Sequence, residues 1–404
     1  MLLPVVKMCS QSSFKDSSDR GYPDDWEVVR ADCLFTLEYG KGLSEKERVA
    51  GPYPVMGSNG VVGYHNEAAV KGPGIVVGRK GSIGAVTWVD SDFWPIDTTY
   101  YVKIRRHDVS LKWLFYELAY LNPAKFRLAD VVPGLKRELV HSVKVHLPLL
   151  PEQEKIAEIL SVVDSAVELV DKVIAKTERL KKGLMQTLLT KGIGHIEFKE
   201  TRIGRIPKEW DIAKLGEIAT IRYGLGQPPE SDENGTPMIR ATNIKRGVIV
   251  ETDVLRVKRS TIPESRNPFL REGDVIVVRS GAYTGDIGHI TKRWEGAIAG
   301  YDLVVSPSNR INSVYLAHYL LSLRVQTYFS QLKSRSAQPH LNSEQVSDTP
   351  IALPSLSEQR NIADFLSTID KKLGLERNEK VRLERVKRGL MDLLLTGKVR
   401  VKVN

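Results

Sequence analysis

No apolar run in this 404-residue chain approaches the roughly 18–20 residues that a membrane-spanning helix needs. The stretch Leu2–Val6 is too short for the core of a secretion signal, so export is not expected. Cysteine is nearly absent. Cys9 and Cys33 cannot make a disulfide framework or a cysteine-rich zinc site. The eight histidines are scattered, and none stands at ligand spacing from a cysteine. There is no phosphate-binding G-x-x-x-x-G-K-[ST] loop, no G-x-G-x-x-G after a strand and no H-E-x-x-H. Gly78, Gly81 and Gly84 are spaced for a turn between strands, not for a dinucleotide. Asn267-Pro268-Phe269 is only superficially like the Asn-Pro-Pro-aromatic signature of adenine methyltransferases. A nucleophile elbow is missing too. Together these absences argue against an enzyme and against a metal or cofactor held by this chain.

What remains is ordinary folded-protein composition: 42% hydrophobic, 27% charged, 31 Gly and 20 Pro. At about 150 residues per domain the length suggests two or three domains. The net charge of +10 permits a polyanionic partner without requiring one. Half of that excess lies in residues 353–404. A strongly basic surface must therefore come from locally clustered side chains.

The chain repeats itself. Residues 147–193 align without a gap on 353–399 at an offset of 206, with 20 identities in 47 positions. The anchors include Glu152-Gln153 with Glu358-Gln359 and Gly183-Leu184-Met185 with Gly389-Leu390-Met391. A second pair, 14–26 with 198–210, aligns at an offset of 184 and superposes Pro23 and Trp26 on Pro207 and Trp210. Each half is thus a variable block followed by a strongly patterned one, and the variable block is 22 residues longer in the second half. The end of the chain falls where its own beginning takes up the pattern, at Phe14 and its equivalent Phe198. A cyclic two-fold arrangement cut once has this form, and it predicts that the ends meet beside the second patterned block.

The patterned blocks read as long helices. Ile156, Leu160, Val163, Val167, Val170 and Ile174 form a heptad stripe, continued after a phase shift by Leu180, Leu184 and Leu188. Residues 152–190 as one helix would be roughly 58 Å long. The second stripe runs Ile362, Leu366, Ile369, Leu373, breaks at Glu376 and Lys380, and resumes at Leu383, Leu390 and Leu394. Pro151 suits a first helical turn and Ser357 a cap, while Gly192 and Gly397 suit helix ends. Packing the two stripes together, antiparallel, buries both. The variable blocks read as strand-rich mixed domains of one fold with diverged loops. Strands are expected within 74–89, 99–104, 274–290 and 301–306, and helices over 112–121 and 314–323.

This order of variable domain, long helix, variable domain, long helix closely resembles the specificity (S) subunit of Type I restriction–modification systems. The resemblance rests on the LP-x-L-x-EQ helix starts, on PYPVMGSNGVVGYHNE (52–67) with GRKGSIG (78–84), and on the segments 133–160 and 336–366. It implies an α+β protein: two similar mixed α/β target recognition domains joined by two long helices packed as an antiparallel coiled coil, in a pseudo-two-fold cyclic repeat. The implied boundaries are 1–146 and 194–352 for the domains, 147–193 for the first spacer helix and 353–404 for the second with its tail. The implied function is non-catalytic recognition of double-stranded DNA, each domain reading half of a bipartite asymmetric site. The helices would set the spacer and hold two methyltransferase (M) subunits, which would bring S-adenosylmethionine. Restriction/translocase (R) subunits would bring ATP and Mg chemistry. The setting implied is the prokaryotic cytoplasm.

Base edges are read by polar and cationic side chains on rigid loops. The candidates are Ser58, Asn59, His65, Arg79, Lys80, Lys136 and Arg137 in the first block, and Arg240, Asn243, Arg279, Ser280, Tyr283, His340 and Asn342 in the second. Arg79-Lys80 and Lys136-Arg137 suit phosphate neutralisation better than base reading. Partner contact is assigned to Glu152, Gln153, Gly183, Leu184, Glu358, Gln359, Gly389 and Leu390, with helix capping and helix packing as the competing role. Two other classes stay open: a partner-independent DNA-binding or regulatory protein of the same fold, and a coiled-coil scaffold whose variable domains bind protein.

Overall fold

The computed structural model describes residues 21–126, 134–263, 265, 267–333 and 340–402, without the Lys333 side chain. The chain divides into two compact units, one built from the described residues up to Asp171 together with Asn378 onward, the other from Lys172–Arg377. The division therefore cuts through both long helices, whereas the sequence suggested boundaries at their ends. Phe14 and Asn404, on which the expected meeting of the ends rests, lie outside the described residues.

In the first unit a four-stranded antiparallel sheet has the order Phe35–Tyr39, Thr99–Ile104, Gly74–Gly78, Val86–Val89. The β-branched run Ile75-Val76-Val77 is buried on both faces and makes its centre. A smaller sheet sets Tyr53–Gly57 antiparallel to Gly60–His65 and parallel to Trp94–Pro95. Glu27–Arg30 pairs with Lys144–Leu147 and clasps the start of the domain to its end.

The second unit repeats this plan strand for strand. Its main sheet has the order Ala219–Tyr223, Leu303–Pro307, Val275–Val277, Ile287–His289. Ser231–Ile239 is again antiparallel to one neighbour, Leu255–Val257, and parallel to the other, Ile298–Ala299. Asp211–Lys214 clasps Pro350–Leu353. The added length in this half includes the short hairpin Ile244–Lys245 with Val248–Ile249. A helix packs behind each main sheet, Leu111–Leu121 in one unit and Ser313–Leu320 in the other, each started by a side-chain cap, Ser110 and Asn312.

The long helices are Leu150–Lys191 and Leu356–Leu395, about 63 Å and 60 Å at 1.5 Å per residue. Pro151 sits in the first turn of its helix. Ser357 is already helical, and the capping oxygen is that of Ser355, which accepts from the Glu358 N–H at 3.2 Å. Gly192 and Gly397 end the helices in the left-handed region, at φ 66° and 68°. Within each unit the helices run antiparallel. Asp164 meets Lys387 (2.6 Å) and Asp171 meets Lys380 (2.7 Å) in the first, while Thr177 meets Glu376 (3.1 Å) and Lys181 meets Asp370 (2.5 Å) in the second. The two interruptions of the second stripe, Glu376 and Lys380, are therefore polar contacts between helices. Leu180, expected in the stripe, is exposed; Met185, Leu188 and Leu189 take that role against the core of the second unit.

Glu152 and Glu358 act as equivalent pins. Glu152 accepts from the Trp26 indole N–H (3.1 Å) and binds Arg400, which also binds Asp25. Glu358 accepts from the Trp210 indole N–H (3.0 Å), the Ile193 backbone N–H (2.9 Å) and His195. Pro23 lies so close to Gly397 that a Cβ there would be 2.3 Å from its ring.

Candidate nucleic-acid interface

In the first unit the central strand ends in Gly78 and a tight turn places Arg79 and Lys80. Both backbone N–H groups donate to the Thr98 carbonyl, at 2.9 and 3.1 Å. The Ser58 hydroxyl donates to the same oxygen (2.8 Å). The Leu135 N–H donates to the Arg79 carbonyl (3.0 Å), which brings Lys136 and Arg137 alongside. Tyr39, the last residue of the edge strand two places away in the sheet, gathers the group. The guanidinium of Arg79 lies 5.1 Å and that of Arg137 4.8 Å from its ring centre, at cation–π range. Arg79 also donates to the Asp97 carbonyl (3.0 Å), and Arg137 to Glu138 (3.1 Å) and the Leu37 carbonyl (3.2 Å). Lys80, Lys136 and Asn59 are exposed.

The second unit builds the same place with different side chains. Arg279 follows the central strand, Leu341 N–H donates to its carbonyl (2.8 Å), and Tyr223 is the last residue of the edge strand two places away. The Arg279 guanidinium lies over two rings, 4.9 Å from the centre of Tyr223 and 4.5 Å from that of Tyr301. Its backbone N–H donates to Asp302 (3.1 Å). Burial pushes the Asp302 carboxyl up to about 6, against the N–H donors and positive charge of Arg279 and the N–H of Ala241. Ser280 and His340 face each other across an antiparallel bridge, and Tyr283 is exposed. Arg240 donates to the Asp253 carbonyl (3.0 Å).

Several sequence candidates are engaged within the fold. His65 is buried, accepts from the Val49 N–H (3.0 Å) and meets Trp94 edge to face. Asn243 is fully buried, accepting from the Arg240 N–H and donating to the Thr252 carbonyl. Asn342 caps the helix Ser343–Ser347. Glu152, Gln153 and Gln359 are buried, and Glu358 nearly so. Gln153 and Gln359 each bind three backbone groups, including the N–H of the Ser110 or Asn312 cap. All four are engaged in packing and capping contacts within the fold. The Gly-Leu-Met segments lie inside the long helices. Leu184 and Leu390 pack on the cores, whereas Gly183 and Gly389 are exposed with open space around them.

The sequence reading missed Tyr39, Tyr223 and Tyr301. A signal for the first two was available: Tyr39-Gly40 and Tyr223-Gly224 stand at the same offset of 184 as Trp26 and Trp210. Among the described residues no cluster of three or more His, Cys, Asp or Glu could hold a metal, and no helix is long and apolar enough to cross a membrane.

Two domains of one topology, each with an arginine–tyrosine contact at equivalent strand ends and each packed on segments of the long helices, define an internally duplicated α+β class of protein. The chain belongs to the Type I restriction modification DNA specificity domain family, whose model matches residues 23–179 and again 207–385. It is a specificity subunit: it recognises DNA within a restriction–modification complex and leaves catalysis to other subunits. It is 28% identical over 419 residues to the Type I restriction enzyme MjaVIII specificity subunit of Methanocaldococcus jannaschii, covering 98% of both chains. It is 23% identical over 307 residues to the EcoBI specificity subunit of Escherichia coli, 71% of this chain and 65% of that one. The fold matches the crystal structure of the S subunit from M. genitalium with a TM-score of 0.63 at 16% identity, over 92% of this chain and 96% of that one.

Proposed function

We propose that each unit reads one half of a bipartite, asymmetric DNA site through the loops around its arginine–tyrosine stack. The observation that carries this is the recurrence of the stack at equivalent strand ends with different neighbours: Lys80, Lys136 and Arg137 in one unit, Tyr301, Ser280 and His340 in the other. The same place with different side chains suits two different half-sites. Lys80 and Lys136 serve as phosphate contacts that fix register. Replacing both with alanine is expected to weaken binding evenly across duplexes. It should also reduce the slope of log affinity against log salt by about 2. Binding isotherms of the full chain on duplex DNA at several salt concentrations check this; an unchanged slope would remove the lysines from the interface.

In this reading two methyltransferase subunits dock on the helical regions and bring S-adenosylmethionine. Restriction subunits bring ATP, Mg and cleavage, all in a prokaryotic cytoplasm. Gly183 and Gly389 support such docking. An exposed glycine inside a helix costs roughly 1 kcal/mol relative to alanine, and here it leaves the backbone open to close approach. The helices set the number of unread base pairs between half-sites. Inserting seven residues into both lengthens each by about 10 Å, or about three base pairs at 3.4 Å per step. Mapping the methylated sites of that variant should show a spacer longer by three; an unchanged spacer overturns the ruler.

A further inference from the structure

Arg279 differs from the other arginines at these strand ends. Arg79 and Arg137 each spend guanidinium N–H groups on carbonyls or on Glu138. Among the described residues the Arg279 guanidinium makes no hydrogen bond and no ion pair, and its Nε is buried without a partner. Its guanidinium carbon lies over two aromatic rings, Tyr223 at 4.9 Å and Tyr301 at 4.5 Å. Its backbone is held at both ends, by Asp302 on the N–H and by Leu341 on the carbonyl. A guanidinium is planar and donates in its own plane. Two rings against the guanidinium restrict the side chain while its N–H groups stay unspent, so part of the conformational cost of fixing it on a ligand is already met. A phosphate needs no such preparation, because a flexible lysine neutralises it as well. A planar pair of acceptors does need it, and in duplex DNA the guanine O6 and N7 in the major groove provide one.

We propose that Arg279 is a specificity-determining residue that reads a guanine bidentately, with Tyr223 and Tyr301 as its positioning residues. This deepens the half-site reading above and rests on it. The test uses the full chain, assembled with a methyltransferase subunit that it binds, and a pool of randomised duplexes from which bound molecules are sequenced. If the wild-type complex selects no bipartite motif, the half-site reading itself falls, and this proposal with it. Given a motif, R279A and R279K are both expected to relax one guanine position in one half to any base. Affinity for the parent site should drop about 10- to 100-fold, with the other half unchanged. Replacing that guanine with 7-deazaguanine should cost the wild type about 10-fold and R279A nothing further. Y301L should lose part of the preference at that one position and at no other. Two results overturn the proposal. One is R279K keeping full selectivity at every position. The other is R279A weakening all duplexes equally while the salt slope falls by about one, the behaviour of a phosphate contact. Should R279A not fold, the 7-deazaguanine scan of wild type and R279K decides: no sensitive guanine in either half ends the proposal.

Discussion

Replacing Glu358 with alanine is expected to destabilise the second unit by about 3 kcal/mol, and Glu152 with alanine to cost the first unit a similar amount. Glu358 gathers the Trp210 indole N–H, the Ile193 N–H that leaves the first long helix and the His195 ring. Its removal leaves three donors without an acceptor, one of them on the fully buried Trp210. Glu152 does the same for Trp26 and Arg400, although Arg400 keeps Asp25. The conservative variant separates charge from shape: E358Q keeps an oxygen for Trp210 and should cost about 1 kcal/mol. Hydrogen exchange over residues 193–215 is the measurement, because it reports this unit alone. Wild-type protection in E358A would show that the pin is not what holds the strand clasp to the helix.

The second large effect is a pair of opposed pH responses within the second unit. His318 is buried against the long helices, with Asp370 at 3.6 Å. Burial lowers its pKa to about 4; Lys181 and His289 push the same way and Asp370 opposes them. An unfolded imidazole titrates near 6.5, so on acidification the unfolded chain takes the proton first. Stability from this group is present at neutral pH and is lost as pH falls from about 6.5 to 4, by up to about 3 kcal/mol. Asp302 has the opposite sign. Its folded pKa of about 6 lies above the ordinary carboxylate value, so the folded state takes the proton first and stability rises as pH falls from about 6 to 4. In the wild type the two slopes offset each other, and single variants unmask them. His318→Tyr copies the first unit, where Tyr116 at the equivalent place donates to Asp164 at 2.7 Å. That variant should gain on the wild type by about 3 kcal/mol between pH 7 and pH 4. D302N should be the more stable protein near pH 8 and lose that advantage by pH 4. Urea midpoints across this range decide it, and a difference that does not change with pH would refute both assignments.

The elements that the sequence made legible are those with strong period or repetition. The heptad stripes located both long helices, and the β-branched runs at 74–77 and 275–277 located the central strands. The duplicated Trp26 and Glu152 were each visible as anchors, but their bond joins positions 126 residues apart, and no local pattern reports it. For the same reason Glu-Gln looked like an exposed contact: one residue pair at a helix start reads identically whether it faces a partner or its own domain. His65, Asn243 and Asn342 were chosen for their chemistry, and the turns that use them internally depend on backbone geometry that composition does not carry. The arginine–tyrosine stacks lie between these cases. Arg79 and Arg279 follow recognisable strands, yet Tyr39 and Tyr223 end edge strands two places away in the sheet, and Tyr301 precedes the strand between.

The two units also differ in how much chain each needs before its core can close. The main core of the second unit, from Leu189 to Leu366, comes from one continuous stretch. That of the first takes Trp26 through Leu160 and then Met391, Leu394 and Leu395 from the second helix. During vectorial synthesis the second unit can therefore complete its packing while the first still waits with part of its hydrophobic surface uncovered. A chain cut before Asn378 would hold a finished second domain and an open first one, which places the aggregation hazard of biogenesis on the half of the protein made earliest.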